Sequence, residues 1–111
     1  MTNYKFGDII LIPFPFTNHQ AEKKRPAVII NSNDYQSERP DVILMPITSQ
    51  IKAISYGEFQ MKNWQVAGLL KPSIIKPVIA TLENKLILKI LGELDQADQN
   101  SLRMLISKII G

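Results

Sequence analysis

Apolar residues in this chain come in short, dense runs cut by proline, glycine and polar residues. "DIILIPFPF" (8–16) is a near-continuous β-branched and aromatic run closed by its own prolines and by the polar "TNHQAEKK". It predicts a first strand followed by an exposed connection. "RPAVIIN" (25–31) predicts a second short buried strand, bounded by Asn31, Ser32, Asn33 and Asp34, which favour turns. "DVILMPITSQ" (41–50) predicts a third, in which Pro46 has no N–H for a ladder and so implies a sheet edge or a bulge. Alternation in "GEFQMKNW" (57–64) is weaker. "SIIKPVIATL" (73–82) predicts another strand interrupted by Pro77, and "NKLILKILGEL" (84–94) a short helical turn running into a strand.

The period changes at the end of the chain. In "LDQADQNSLRMLISKIIG" (94–111), Leu102, Leu105, Ile106 and Ile109 recur at helical spacing behind Asp95, a suitable N-cap, with a second acid, Asp98, three residues on. No repeat or linker interrupts the 111 residues, so strands and helix share one core in a single domain, 1–111. Short strands broken by proline and glycine predict a mainly β, α+β fold: a small, strongly bent antiparallel barrel carrying one C-terminal helix.

Composition narrows the chemistry. The formal charge of +3 allows a polyanionic partner without requiring one. Without cysteine there is neither a disulfide frame nor a thiolate metal site. His19 is the only histidine and the acids form no ligand-spaced cluster, so the expectation is no metal and no cofactor. No apolar run approaches the ~20 residues of a membrane span and the amino terminus has no signal-like core, so a cytoplasmic protein without membrane contact is expected. His19, in a polar loop, reads as solvated, and the lone Trp64 reads as a core or interface aromatic.

One stretch asks for an explanation. "EKKRPAVIIN" (22–31) sets Lys23, Lys24 and Arg25 directly before a buried strand. On the residues alone, such a run is a solvated charged turn, and Thr48 is an ordinary strand-end hydroxyl.

Four blocks taken in order change that reading: "GDIILIPFPFT", "KRPAVII", "VILMPITSQ" and "GLLKPSIIK", followed by the helical tail. Together they resemble the MazF/PemK family of toxin endoribonucleases from bacterial toxin–antitoxin pairs, over nearly the whole chain. The resemblance implies an SH3-like (MazF/CcdB-like) barrel, a homodimer, metal-independent cleavage of single-stranded RNA at short sequences, and neutralisation by a cognate antitoxin peptide. Matched block by block, it implies Arg25 and Thr48 as the catalytic pair, and Gly7 and Asp8 as structural: the glycine permits a bend and the acid ties down the neighbouring loop. It also implies that the segment from Phe16 to Lys24, with Thr17 and His19, overlies RNA or antitoxin. Lys23, Lys24, Ser49, Gln50, Lys71 and Ser73 complete the expected RNA contacts. Where plasmid-borne members carry an arginine and an aspartate, this chain has Lys71 and Ser73, so the resemblance supplies no carboxylate general base there.

The implied chemistry accounts for the cations. If the ribose 2′-hydroxyl attacks the adjacent phosphorus, a phosphorane accumulates negative charge as the 5′-oxygen departs. Arg25 presents a planar, permanently charged fork to the equatorial oxygens. Thr48 offers a hydroxyl on a side chain stiff about its first torsion. Lys23 and Lys24 would steer the backbone, with an affinity that falls as salt rises. Two other readings remain: a non-catalytic basic RNA-binding barrel, which needs neither Arg25 nor Thr48, and a gyrase-poisoning toxin of the same fold, a class that uses an aromatic near the end of the terminal helix, where this chain has only "ISKIIG".

Overall fold

A computed structural model of the chain describes residues 4–14 and 23–111. Within them the elements are β1 (Asp8–Phe14), β2 (Lys23–Ile29), α1 (Asn33–Glu38), β3 (Asp41–Thr48), β4 (Phe59–Gln60), β5 (Ile74–Ile75), β6 (Ala80–Glu83), a 3-10 turn (Asn84–Leu86), β7 (Lys89–Glu93) and α2 (Gln96–Ile110). All pairings are antiparallel, in the order β4-β5-β3-β2-β1-β7, with β6 also on β3. The order ends at β4 and β7, which do not pair, so the bent barrel is a curled sheet that stays open.

The sheet has apolar side chains buried on both faces, and this is why its strands read as continuous apolar runs. Successive residues of "DIILIPF" alternate between two cores. Ile9 packs with Val28, Met45, Ile47 and Leu102, while Ile10 and Ile12 pack with Ala27, Ile29, Leu44 and Leu82. Helix α2 covers the first face. Its Asp95 cap accepts the Asp98 N–H (2.8 Å), Leu102 is wholly buried, and Ile106 and Ile109 pack beside it, as the periodicity predicts. Burying Leu102 stabilises the fold by about 2 kcal/mol. Trp64 packs against this core too.

Several local expectations change. The turn predicted at 31–34 is the start of α1: the Ser32 hydroxyl accepts the Tyr35 N–H (3.1 Å), making it a helix cap, and Asn31 ties the helix to β3 by accepting the Ile43 N–H (2.9 Å) and donating to Gln36 Oε1 (3.3 Å). The lysines stand inside β2, not ahead of it. The strand expected over 73–82 is two strands, because Pro77 sits at the centre of a tight turn closed by Val78 N–H to Lys76 C=O (2.8 Å).

Pro46 is not on an edge. Strand β3 is flanked by β2 on one side and by β6 and β5 on the other. The Pro46 carbonyl accepts from Lys76 N–H (2.9 Å), so its nitrogen faces the β5/β6 side. There the partner changes from Ala80, opposite Leu44, to Ile75, opposite Ile47, a register shift that demands no donor from residue 46. The irregularity was expected; its place in the middle of the sheet was not.

Gly7 has φ +94°, and the buried Asp8 carboxylate accepts the Lys5 N–H (3.0 Å), so the pair serves the bend and the loop as expected. Burial pushes the Asp8 carboxyl up, a shift that the Lys5 hydrogen bond opposes.

Candidate functional site

A cleft of about 370 Å³ opens where β2, β3, β7 and the segment 68–73 meet. Its polar lining residues include Arg25, Thr48, Ser49, Lys71 and Lys89; its apolar ones include Leu11, Pro26, Ile47, Leu70 and Leu91. No acidic side chain lines it among the described residues.

The strand register explains how two residues distant in sequence come together. Strands β2 and β3 pair as Ile29↔Leu44, Val28↔Met45 and Ala27↔Pro46. Continued by two residues, that register sets Arg25 opposite Thr48, on one face of the sheet. Arg25 is half-buried, and its backbone is held by β1, where its partner is Ile12. The Thr48 Oγ1 accepts the Gln50 N–H (3.1 Å), which orients the hydroxyl and leaves its own proton for an external acceptor.

The far wall is held by backbone contact. Gly68 has φ +87°, and a Cβ there would overlap the Leu91 carbonyl; a Cβ on Gly92 would overlap the Ala67 carbonyl. The 67–68 backbone thus lies directly on β7, with no room for a side chain between them.

Of the residues expected from sequence, Arg25, Thr48, Ser49, Lys71 and Ser73 line this cleft. Ser73 is only 4% exposed and its hydroxyl donates to the Lys71 carbonyl (2.9 Å), so it shapes the Lys71 turn and has little left to offer a ligand. Lys23 and Lys24 are exposed at the start of β2, beside the cleft but not in its wall, and the exposed Gln50 takes part through its N–H. Thr17 and His19 lie outside the described residues. Lys89 and Leu70, which is 93% exposed, were not anticipated. The available signal for Lys89 was a lone cation inside an otherwise apolar run.

Several charges elsewhere are paired within the protein. Glu58 is held below the usual carboxylate range by its bond to Lys76 and a hydrogen bond from the Ser55 N–H. Asp41 is lowered chiefly by the Tyr35 hydroxyl (2.6 Å) and also by Arg39 (3.3 Å). A larger hollow of about 550 Å³ beside the start of α2 mixes both signs: Lys5 lies 3.3 Å from Glu93, and Arg103 stacks 3.7 Å over the Phe6 ring. The smaller cleft, lined by three cations and, among the described residues, by no acid, is the better place for an anion. Among the described residues, no group of three or more His, Cys, Asp or Glu could hold a metal ion, and no helix is long and apolar enough to cross a membrane.

Comparison with known proteins agrees with this architecture. An endoribonuclease in complex with its cognate antitoxin from Mycobacterial species superposes with a TM-score of 0.76 at 17% identity, over 100% of this chain and 96% of that one. The toxin MazF-mt6 of Mycobacterium tuberculosis gives 0.73 at 19%, over 93% and 95%. The MazE–MazF structure from Deinococcus radiodurans gives 0.77 at 16%, over 99% and 98%. At these identities the likeness establishes the fold. None of the curated proteins compared with the chain matches it in sequence. The family described as PemK-like, MazF-like toxin of type II toxin–antitoxin system matches residues 5–110, nearly the whole length, and the chain belongs to that family.

Proposed function

We propose that this toxin is a sequence-specific endoribonuclease that cuts single-stranded RNA without a metal, through attack of a ribose 2′-hydroxyl on the adjacent phosphorus. The observation that carries the reading is the cleft that gathers Arg25 and Thr48, with two further lysines and, among the described residues, no carboxylate in its lining. In the step, the 2′-oxygen forms a bond to phosphorus while the bond to the 5′-oxygen breaks. The 2′-proton passes to a base, and the departing 5′-oxygen takes up a proton. The products are a 2′,3′-cyclic phosphate and a 5′-hydroxyl. Arg25 meets the charge that grows on the non-bridging oxygens, and its constant protonation makes it an electrostatic stabiliser in preference to an acid. Thr48, its oxygen already held by Gln50, donates its proton to one of those oxygens.

The test is incubation of one long RNA with the purified protein, with and without a chelator, followed by mapping of the fragment ends. Cuts at a recurring short sequence, cyclic phosphate and 5′-hydroxyl ends, and indifference to chelator are expected. Intact RNA would leave the non-catalytic RNA-binding reading, and chelator-sensitive cutting would remove the metal-free mechanism.

The same reading extends to partners: a homodimer in the cytoplasm, and an antitoxin segment that is disordered until it binds across the cleft and competes with RNA. A carboxylate-bearing peptide suits a cleft that suits phosphate. Exposed Tyr56, Met104 and Ile110 give the molecule apolar surface to cover, two of them on α2. Size-exclusion chromatography with light scattering reads both points. A mass near twice 12.6 kDa and loss of co-eluting RNA on addition of antitoxin are expected. A 12.6 kDa species would refute the dimer, and a stable ternary complex would refute the shared surface.

A further inference from the structure

Lys89 reaches the cleft from β7, a strand that carries none of the residues expected in the site, and an irregularity in the sheet puts it there. Strands β1 and β7 pair as Ile9↔Gly92 but then as Ile10↔Ile90 and Leu11↔Lys89, so Leu91 is an extra residue on β7. Without that bulge, Leu11 would stand opposite Ile90 and Lys89 opposite Ile12, on the face of Arg25 and Thr48; with it, Lys89 stands on the Leu11–Pro26 side of the cleft. The bulge is buttressed where Gly92 abuts the Ala67 carbonyl and Gly68 abuts that of Leu91. On its other side Leu11 pairs with Pro26, so Lys89 and the Arg25–Pro26 step lie two strand spacings apart, roughly 10 Å, across Leu11.

Its electrostatic setting differs from that of the lysines outside the cleft that bind carboxylates. Lys5 and Lys85 each lie 3.3 Å from a glutamate, and Lys76 is bound to Glu58. Lys89 is exposed, and no ion pair among the described residues involves it. A lysine on an end strand can also discourage pairing with a second sheet, but that role would not require it to line the cleft. We infer that Lys89 binds a backbone phosphate flanking the scissile one, and that the Leu91 bulge offsets it from Arg25 onto the Leu11–Pro26 side. The assignment rests on the reading of this cleft as an RNA site.

Lys89→Gln keeps most of the stem and removes the charge; Lys89→Arg restores a cation. Binding is measured on a single-stranded oligonucleotide spanning a mapped cut, made uncleavable by one 2′-deoxyribose, and on polyuridylate as a probe independent of cutting. For Lys89→Gln the slope of log affinity against log salt should shrink by about 0.7, the share of one phosphate on a single strand. KM should rise about 5-fold, with the loss in KM and not in kcat, and Lys89→Arg should recover it. A neutral methylphosphonate walked along the strand should weaken wild-type binding at one flanking position and leave Lys89→Gln unaffected there. An unchanged salt slope and KM, or a methylphosphonate profile identical in the two proteins, would overturn the assignment. Wild-type protein that binds but does not cut would sink the nuclease reading while the salt slope still reports on Lys89; absence of any RNA binding would sink both.

Discussion

Arg25→Ala is expected to lower RNA cleavage by at least about 100-fold, which is about 2.7 kcal/mol of lost transition-state stabilisation, the scale of one preorganised contact to developing charge. Thermal stability should hardly move. The backbone of residue 25 pairs with Ile12 inside the β1–β2 ladder, and alanine keeps that pairing. The side chain is half-buried at the cleft, on the same strand as the fully buried Ala27, Val28 and Ile29 but outside that run. Arg25→Lys separates charge from geometry: it keeps the cation but loses the planar fork, and should recover only a minor part of the activity. Single-turnover rates and a melting curve for each variant give the answer. Near-normal cleavage by Arg25→Ala, or a variant that melts early in place of simply losing activity, would take Arg25 out of the site.

Replacing the single ribose 5′ of the cut by deoxyribose should abolish cleavage altogether, because the nucleophile itself is removed. Binding should be nearly unchanged, since phosphate contacts dominate affinity and all of them remain. The pairing of those two results is diagnostic: a substrate that lost activity by losing affinity would show both falling together. Duplex RNA should resist as well, because in a paired A-form strand the base edges are turned inward and cannot be read by the cleft. Undiminished cutting of the deoxy substrate would mean that water attacks, and Arg25 and Thr48 would then need different roles.

How far the site could be read from sequence differs from residue to residue. Arg25 and Thr48 stood in blocks whose resemblance carried their roles, and the cleft holds both. Ser73 stood in the same kind of block, yet its hydroxyl is spent on the Lys71 carbonyl, a bond that depends on how the chain turns at Pro72 and not on residue type. Lys89 offered only a cation in an apolar run. Its place in the cleft follows from one extra residue at Leu91, and counting apolar positions along a single strand cannot reveal on which residue the partner strand slips.

The sequence by itself determined the main strands, the C-terminal helix and the family. Runs of β-branched residues specify strands, an aspartate followed by helical periodicity specifies α2, and the ordered blocks identify the toxin. These are local properties, written in the spacing of neighbours, and so they survive reading one segment at a time. Tertiary structure alone decided that Pro46 sits in the middle of the sheet, that residues 33–38 wind into a helix moored by Asn31, and that Arg25, Lys71 and Lys89, far apart in the chain, line one cleft. Each of these depends on register and on backbone contact between segments dozens of residues apart, such as Gly68 against Leu91, where the burial of two cores at once leaves one arrangement that satisfies every strand.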